Sequence, residues 1–334
     1  MDETLHELER QARAGDAAAQ LALGRRHAAR GETAQARNWL AHAAKAGSLE
    51  AARALGIDLL TREPIRGDVG VKVVGDAAQR GDAEAVYVCA MLAAQDEKLP
   101  ERFAVARDYL REAAKLGLAR AEAELQLLES VGDLSSALPT QEIAPRVGVV
   151  ARCAPPEICD WLIAQTAPRL GRAQVYDPAS GGGRRESARS NSAAELNIAQ
   201  TNLVLMLLRQ RIAATAGLAF GALEIPQILH YAVGEEFKPH VDVLDGAQPG
   251  YARDLAERGQ RVATFLIYLS DDYDGGETEF PRLGLKHKAR KGDGLLFWNV
   301  DAQGRPDPAM LHAGRAPTRG EKWVLSQWLR DRIR

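Results

Sequence analysis

The sequence predicts an α+β protein in two parts: an N-terminal α-solenoid of helix pairs, and a C-terminal antiparallel jelly roll with flanking helices. Two observations predict it. A short tag of small residues closing on glycine returns through the first third, as AAKAG (Ala43 to Gly47), AAQRG (Ala77 to Gly81) and AAKLG (Ala113 to Gly117), with a weaker copy QARAG (Gln11 to Gly15). From about residue 223 the apolar period changes to two, in EIPQILHYAV, RVATFLIYLSDDY, GDGLLFWNV and KWVLSQWLR.

The closing glycines, Gly15, Gly47, Gly81 and Gly117, are spaced by 32, 34 and 36 residues. A period in the mid-thirties marks stacked helix pairs, because one pair alone cannot bury its apolar stripe. Within one unit Ala36, Leu40 and Ala43 recur at helical spacing with Trp39 beside them, and glycine is placed to end the second helix at its C′ position. The middle unit departs from this: TREPIRGDVGVK (Thr61 to Lys72) carries Pro64 and two glycines, which predicts an irregular hairpin. Residues 10–132 resemble Sel1-like repeats, relatives of the tetratricopeptide repeats. That likeness implies either a surface for a protein or peptide partner or a structural annex.

Residues 133–147 lose helical period and gain Pro and Ser, and read as a linker. The expected division is therefore 1–132 repeats, 133–147 linker and 148–334 second domain. APPEICDWLIAQTAPRL and LNIAQTNLVLMLLRQRIAATAG have helical periodicity. Between them, Asp177 to Ser192 is rich in Gly, Ser and Arg and too polar to pack, which suits a lid or plain disorder. The four β-rich runs are bounded by Gly, Pro and Asp turns, with no alternating helices, as in an antiparallel jelly roll.

Composition narrows the function classes. A net charge of −2 and a pI near 6.4 lack the basic excess of a nucleic-acid binder. The run Lys286 to Lys291 reads as a solvated hairpin turn. No apolar stretch approaches the length of a membrane span, and the charged start MDETLHELERQARAGD has no signal-peptide core. Cys89, Cys153 and Cys159 form no CxxC pair and read as core thiols in a reducing, cytoplasmic setting.

The chemistry begins at Phe237-Lys-Pro-His240-Val-Asp242. In an extended segment, side chains at i and i+2 share a face, so His240 and Asp242 can reach one metal. His312 follows 70 residues after Asp242. Two histidines and a carboxylate on one face leave three open positions, the facial triad of non-haem iron(II) oxygenases, able to take a bidentate 2-oxo acid and dioxygen. The same three residues could hold zinc for hydrolysis. Lys322, ten residues past His312, favours the oxygenase: its cation can reach the far carboxylate of 2-oxoglutarate, which a hydrolase does not need. His6, His27, His42, His230 and His287 lack such company and read as ordinary packed or surface histidines.

Residues from about 147 to 334 resemble the catalytic domain of the prolyl 4-hydroxylase α-subunit family. Four blocks match in order: Tyr231 to Asp242, Gly259 to Ser270, Gly275 to Pro281, and His312 to Trp328. The resemblance implies a double-stranded β-helix, Fe(II), 2-oxoglutarate and O2, with ascorbate a further family expectation. It implies that His240, Asp242 and His312 hold iron and that Lys322 binds the C5 carboxylate. It also implies that Tyr231 and Thr278 bond the co-substrate, and that Phe237, Arg261 and Trp328 lie near a peptide substrate. Phe237 stands where many members carry a tyrosine, which bears on prolyl specificity. The stretch 180–189 falls where the family has a lid. The expected activity is hydroxylation of a protein or peptide, at proline. The alternatives are hydroxylation of a free amino acid or small molecule, or a repeat scaffold whose oxygenase fold only binds.

Overall fold

In the computed structural model of this chain, which describes residues 3–62, 67–173, 175–177, 182–184 and 189–332, each repeated glycine ends a helix. Gly15, Gly47, Gly81 and Gly117 all have positive φ, between 89° and 105°, a conformation glycine adopts without steric penalty. The residue after each returns a hydrogen bond to the carbonyl five positions back: Asp16 to Gln11, Ser48 to Ala43, Asp82 to Ala77 and Leu118 to Ala113, at 2.9–3.1 Å. This is the Schellman closure. The next helix is then capped at once, as Asp16 accepts from the Ala19 amide and Asp82 from the Ala85 amide, both at 2.7 Å. Stop and start signals are thus adjacent, which produces tight hairpins.

The chain divides into two units, Met1–Gln126 and Leu127–Arg334. The helices of the first are α1 (Glu3–Arg13), α2 (Ala17–Ala29), α3 (Thr33–Lys45), α4 (Leu49–Arg62), α5 (Gly67–Gln79), α6 (Ala83–Gln95) and α7 (Arg102–Lys115), with α8 (Ala119–Val131) crossing the division. Ala36, Leu40 and Ala43 of α3 are buried as their spacing predicts. The middle hairpin keeps its helices. A Cβ on Gly56 of α4 would meet the Gly70 carbonyl of α5 at 3.0 Å, and one on Gly70 the Gly56 carbonyl at 2.9 Å, so the glycine at 70 permits close packing rather than breaking the pair. Pro64 lies outside the described residues. Alternate helices are tied across repeats by Arg53–Asp82, Arg25–Glu50 and Arg120–Glu84.

The second unit contains β1 (Gln141–Ala144), β2 (Val147–Val150), α9 (Pro156–Thr166), β3 (Gly171–Arg172), β4 (Val175–Asp177), β5 (Gly182–Arg184), β6 (Ser192–Glu195) and α10 (Leu203–Ala216). There follow β7 (Gln227–Tyr231), β8 (Phe237–His240), α11 (Pro249–Arg258), β9 (Arg261–Tyr268), β10 (Tyr273–Gly275), β11 (Thr278–Phe280) and β12 (Leu285–His287). The last strands are β13 (Gly294–Trp298), β14 (His312–Gly314), β15 (Pro317–Gly320) and β16 (Lys322–Arg330). Eight strands form the large antiparallel sheet in the order β1-β2-β13-β9-β16-β7-β6-β3, and four form a smaller one, β12-β11-β14-β8. The core lies between them: Leu266, Tyr268, Leu295, Phe297 and Val324 from the large sheet cluster with Phe280 from the small one, and the Phe280 and Phe297 rings meet edge to face at 5.1 Å. This is the expected jelly roll.

The expected linker is not one throughout. Residues 141–144 form β1 against β2 at the edge of the large sheet. Upstream, the buried guanidinium of Arg211 on α10 donates to the carbonyls of Asp133 at 2.6 Å, Cys153 at 2.9 Å and Ser136 at 3.1 Å. A buried arginine needs acceptors, and this polar segment supplies two of them. Half of the expected lid between 177 and 192, residues 178–181 and 185–188, lies outside the described residues. Among the described ones, β4 pairs with β5 and Arg189 is buried. Of the 286–291 run, Lys286 faces Glu279 and Lys291 pairs with Asp160. No helix among the described residues is long and apolar enough to cross a membrane.

Candidate metal and co-substrate site

Two short strands place the histidines. β8 ends at His240 and β14 begins at His312, and the two residues are direct partners in the antiparallel register. Asp242 lies two residues beyond the end of β8 and is buried. One nitrogen or oxygen from each of the three side chains falls within 4.8 Å of the others. His312 Nε2 is 3.5 Å and His240 Nε2 3.8 Å from the Asp242 carboxylate.

The imidazoles are held in the form a metal requires. His240 Nδ1 lies 2.8 Å from the Lys238 carbonyl and His312 Nδ1 lies 3.0 Å from the Met310 carbonyl. A carbonyl can only accept, so each Nδ1 carries a proton, which leaves Nε2 as the ring nitrogen to face a metal. Burial, and then the neighbouring His312, push His240 down to about 3, so it is neutral at physiological pH, as a metal ligand must be. Burial alone would raise the Asp242 carboxyl, but His312, His240 and the Thr264 hydroxyl outweigh it and hold it below the usual range. Two imidazole nitrogens and one carboxylate, preset and convergent, fit iron(II).

Lys322 begins β16 opposite Tyr231 of β7. It is only 2% exposed, and among the described residues no carboxylate pairs with it. Its Nζ lies 5.2 Å from the Tyr231 ring and 5.7 Å from the Tyr268 ring. Burial lowers its ammonium to about 7, a state that an arriving carboxylate would relieve. Thr278 of β11 accepts a hydrogen bond from the Tyr268 hydroxyl at 2.7 Å, so its own proton is free for another acceptor. Tyr231 reaches the same space because position 314 is glycine; a Cβ there would come within 3.0 Å of the phenol oxygen.

One pocket is lined by all three proposed ligands together with Lys322, Tyr231, Thr278, Phe237 and Trp328. Phe237 stacks on His240 with centroids 3.5 Å apart and planes at 15°. Arg261 is the exception. It does not line the pocket: it pairs with Glu224 through two hydrogen bonds of 2.7 and 2.9 Å, and its guanidinium lies 3.7 Å from the centre of the Trp328 ring. It stands directly behind the Trp328 wall of the pocket. The pull comes from Glu224, a buried carboxylate shared with Arg330, and such a charge must be paired.

Sequence reasoning missed Arg189 and Thr264, both of which line the pocket. Arg189 was hidden in a polar stretch that looked unpackable. Thr264 had a usable signal: it is the one hydroxyl in the buried run from Val262 to Tyr268 other than the terminal tyrosine.

Comparison with known proteins places this geometry. Residues 226–330 match the 2OG-Fe(II) oxygenase superfamily, which needs Fe(II), 2-oxoglutarate and O2. A Sel1 repeat protein from Oxalobacter formigenes aligns at 24% identity over 37% of this chain and 98% of its own, with a TM-score of 0.33. A viral collagen prolyl hydroxylase from Paramecium bursaria Chlorella virus-1, solved with 2OG, aligns at 22% identity over 56% of this chain and 98% of its own, with a TM-score of 0.42. Prolyl 4-hydroxylase 1 of Arabidopsis thaliana is 32% identical over 203 residues, covering 57% of this chain and 70% of that relative. By that relationship the chain belongs to the prolyl 4-hydroxylase family and is a 2-oxoglutarate-dependent dioxygenase.

Proposed function

We propose that this dioxygenase hydroxylates proline in a protein or peptide substrate. The observation that carries the reading is the buried Lys322, with no carboxylate partner among the described residues, in the same pocket as a His–Asp–His cluster, in a chain whose relative is named a prolyl 4-hydroxylase. His240, Asp242 and His312 would hold iron(II). With 2-oxoglutarate and dioxygen, the bound metal supplies the oxidising power that converts C–H to C–OH as the 2-oxo acid leaves as succinate and carbon dioxide.

The protein's part is binding, orientation and exclusion of water. Lys322 binds the far carboxylate of 2-oxoglutarate, where a charge-assisted bond in a dry site is strong. Tyr231 and Thr278 donate hydroxyl protons to the same co-substrate. Phe237 and Trp328 give the substrate apolar walls, and Arg261 acts only by backing Trp328. We extend the reading to ascorbate dependence, to helical repeats that hold the protein substrate, and to a reducing, cytoplasmic setting, which the free cysteines support.

The test is incubation with iron(II), 2-oxoglutarate and proline-rich peptides, read by mass spectrometry beside succinate release. The expected result is the gain of one oxygen atom at proline, dependent on 2-oxoglutarate and absent in His240→Ala. Succinate release with no modified peptide, together with hydroxylation of free proline, would move the substrate class to small molecules.

A further inference from the structure

We propose that Thr264 and Asn299, a pair outside the metal-binding triad, are positioning residues that fix the orientation of the Asp242 carboxylate for the metal. The inference rests on the iron-site reading above and extends it to residues that touch neither co-substrate nor substrate in that reading.

The Thr264 Oγ1 lies 2.6 Å from Asp242 Oδ2. An ionised carboxylate can only accept, so the single hydroxyl proton points to Asp242. Asn299 Nδ2 lies 3.0 Å from the same Thr264 oxygen, and with its proton committed that oxygen can only accept. The direction is therefore forced through both links: Asn299 donates to Thr264, and Thr264 donates to Asp242. The anion at one end dictates the amide orientation at the other.

All three side chains are buried. The backbone holds the relay from both sides. Thr264 sits within β9 against Phe297 of β13, and the Asn299 amide bonds the Val262 carbonyl at 2.8 Å. Asn299 also carries a cost, since its Oδ1 is buried with no hydrogen-bond partner among the described residues. An apolar residue of similar size would avoid that penalty. Its donor therefore has a use, and the side chain it reaches among the described residues is Thr264. The consequence falls on Asp242: one lone pair of Oδ2 is occupied and the carboxylate plane is held, while Oδ1, 3.8 Å from His240 Nε2, accepts no hydrogen bond among the described residues. The relay thus presents Oδ1 as the ligand atom.

The test uses the full chain with Co(II) as the probe, reading its affinity and visible absorption, with melting of the metal-free protein alongside. Thr264→Val should weaken Co(II) binding by roughly 10- to 100-fold and alter the band, as loss of an outer partner does, while Thr264→Ser should restore both. Asn299→Leu should weaken binding less, and adding it to Thr264→Val should cost nothing further, because it acts through Thr264. Wild-type affinity and spectrum in Thr264→Val would overturn the proposal. So would a Ser variant as weak as Val, or full additivity in the double variant. If Thr264→Val does not fold, Asn299→Leu decides alone, and unchanged affinity there overturns the relay. Failure of the wild type itself to bind Co(II) would instead overturn the site.

Discussion

His240 and His312 face each other across the β8–β14 pair, in direct register and with ring centroids 4.3 Å apart. Cross-strand neighbours are the closest contacts a sheet makes, so the spacing of two ligands is set by backbone pairing rather than by a flexible loop. Metal and strand pairing should stabilise each other.

Metal should therefore raise the melting temperature. At a hundredfold excess over Kd the gain is about 2.7 kcal/mol, and Asp242→Ala, which removes the carboxylate between the histidines, should abolish it. Thermal scans with and without Co(II) measure this. An undiminished shift in Asp242→Ala would exclude that residue as a ligand.

Lys322→Met should separate function from stability. Losing a charge-assisted partner of roughly 1.5–3 kcal/mol should weaken 2-oxoglutarate by about 10- to 100-fold, read by titration of the metal-loaded protein. The metal-free variant should be more stable than wild type, since an uncompensated buried amine is gone.

The same lysine sets a pH dependence. Its folded value of about 7 lies below the ordinary 10.5. Between those values the unfolded chain binds the extra proton, so this group's contribution makes stability rise with pH across that window. Co-substrate affinity should run the other way, falling above about pH 7 because binding must then take up a proton. Both slopes should flatten in Lys322→Met.

Glu224→Ala should cost roughly 3–5 kcal/mol, the effect of stranding buried charges, because Arg261 and Arg330 both depend on that carboxylate. Urea unfolding checks it. A loss below about 1 kcal/mol would mean that the arginines find other partners.

Two glycines in the repeats should respond in opposite directions. Gly81→Ala puts a side chain at φ 89° and should destabilise by about 1–2 kcal/mol. Gly75→Ala, within α5 with open space around its Cβ, should stabilise by about 1 kcal/mol.

Much of this was legible in the sequence where a pattern was long. The four β-rich runs became β7, β9, β13 and β16, the contiguous centre of the large sheet, because strands with long buried runs announce themselves. The sheet carrying His240 and His312 did not: its strands are three or four residues long, too short for periodicity, and only the ligand chemistry revealed the site. The pairing of Arg261 with Glu224 was not legible because the two lie 37 residues apart, a contact no local pattern contains. α11 went unread although Pro249 opens it and Gly259 closes it, both ordinary helix boundaries.

The Arg211 clamp has a practical meaning for anyone dividing this protein. The three carbonyls it binds belong to Asp133, Ser136 and Cys153, and Leu128 and Leu134 beside that segment are also buried. A catalytic fragment begun at residue 148, where the helical pattern and the polar stretch have both ended, would keep the Cys153 carbonyl but strip the other two acceptors from a guanidinium buried in its own interior. The cut should instead be made before Leu127.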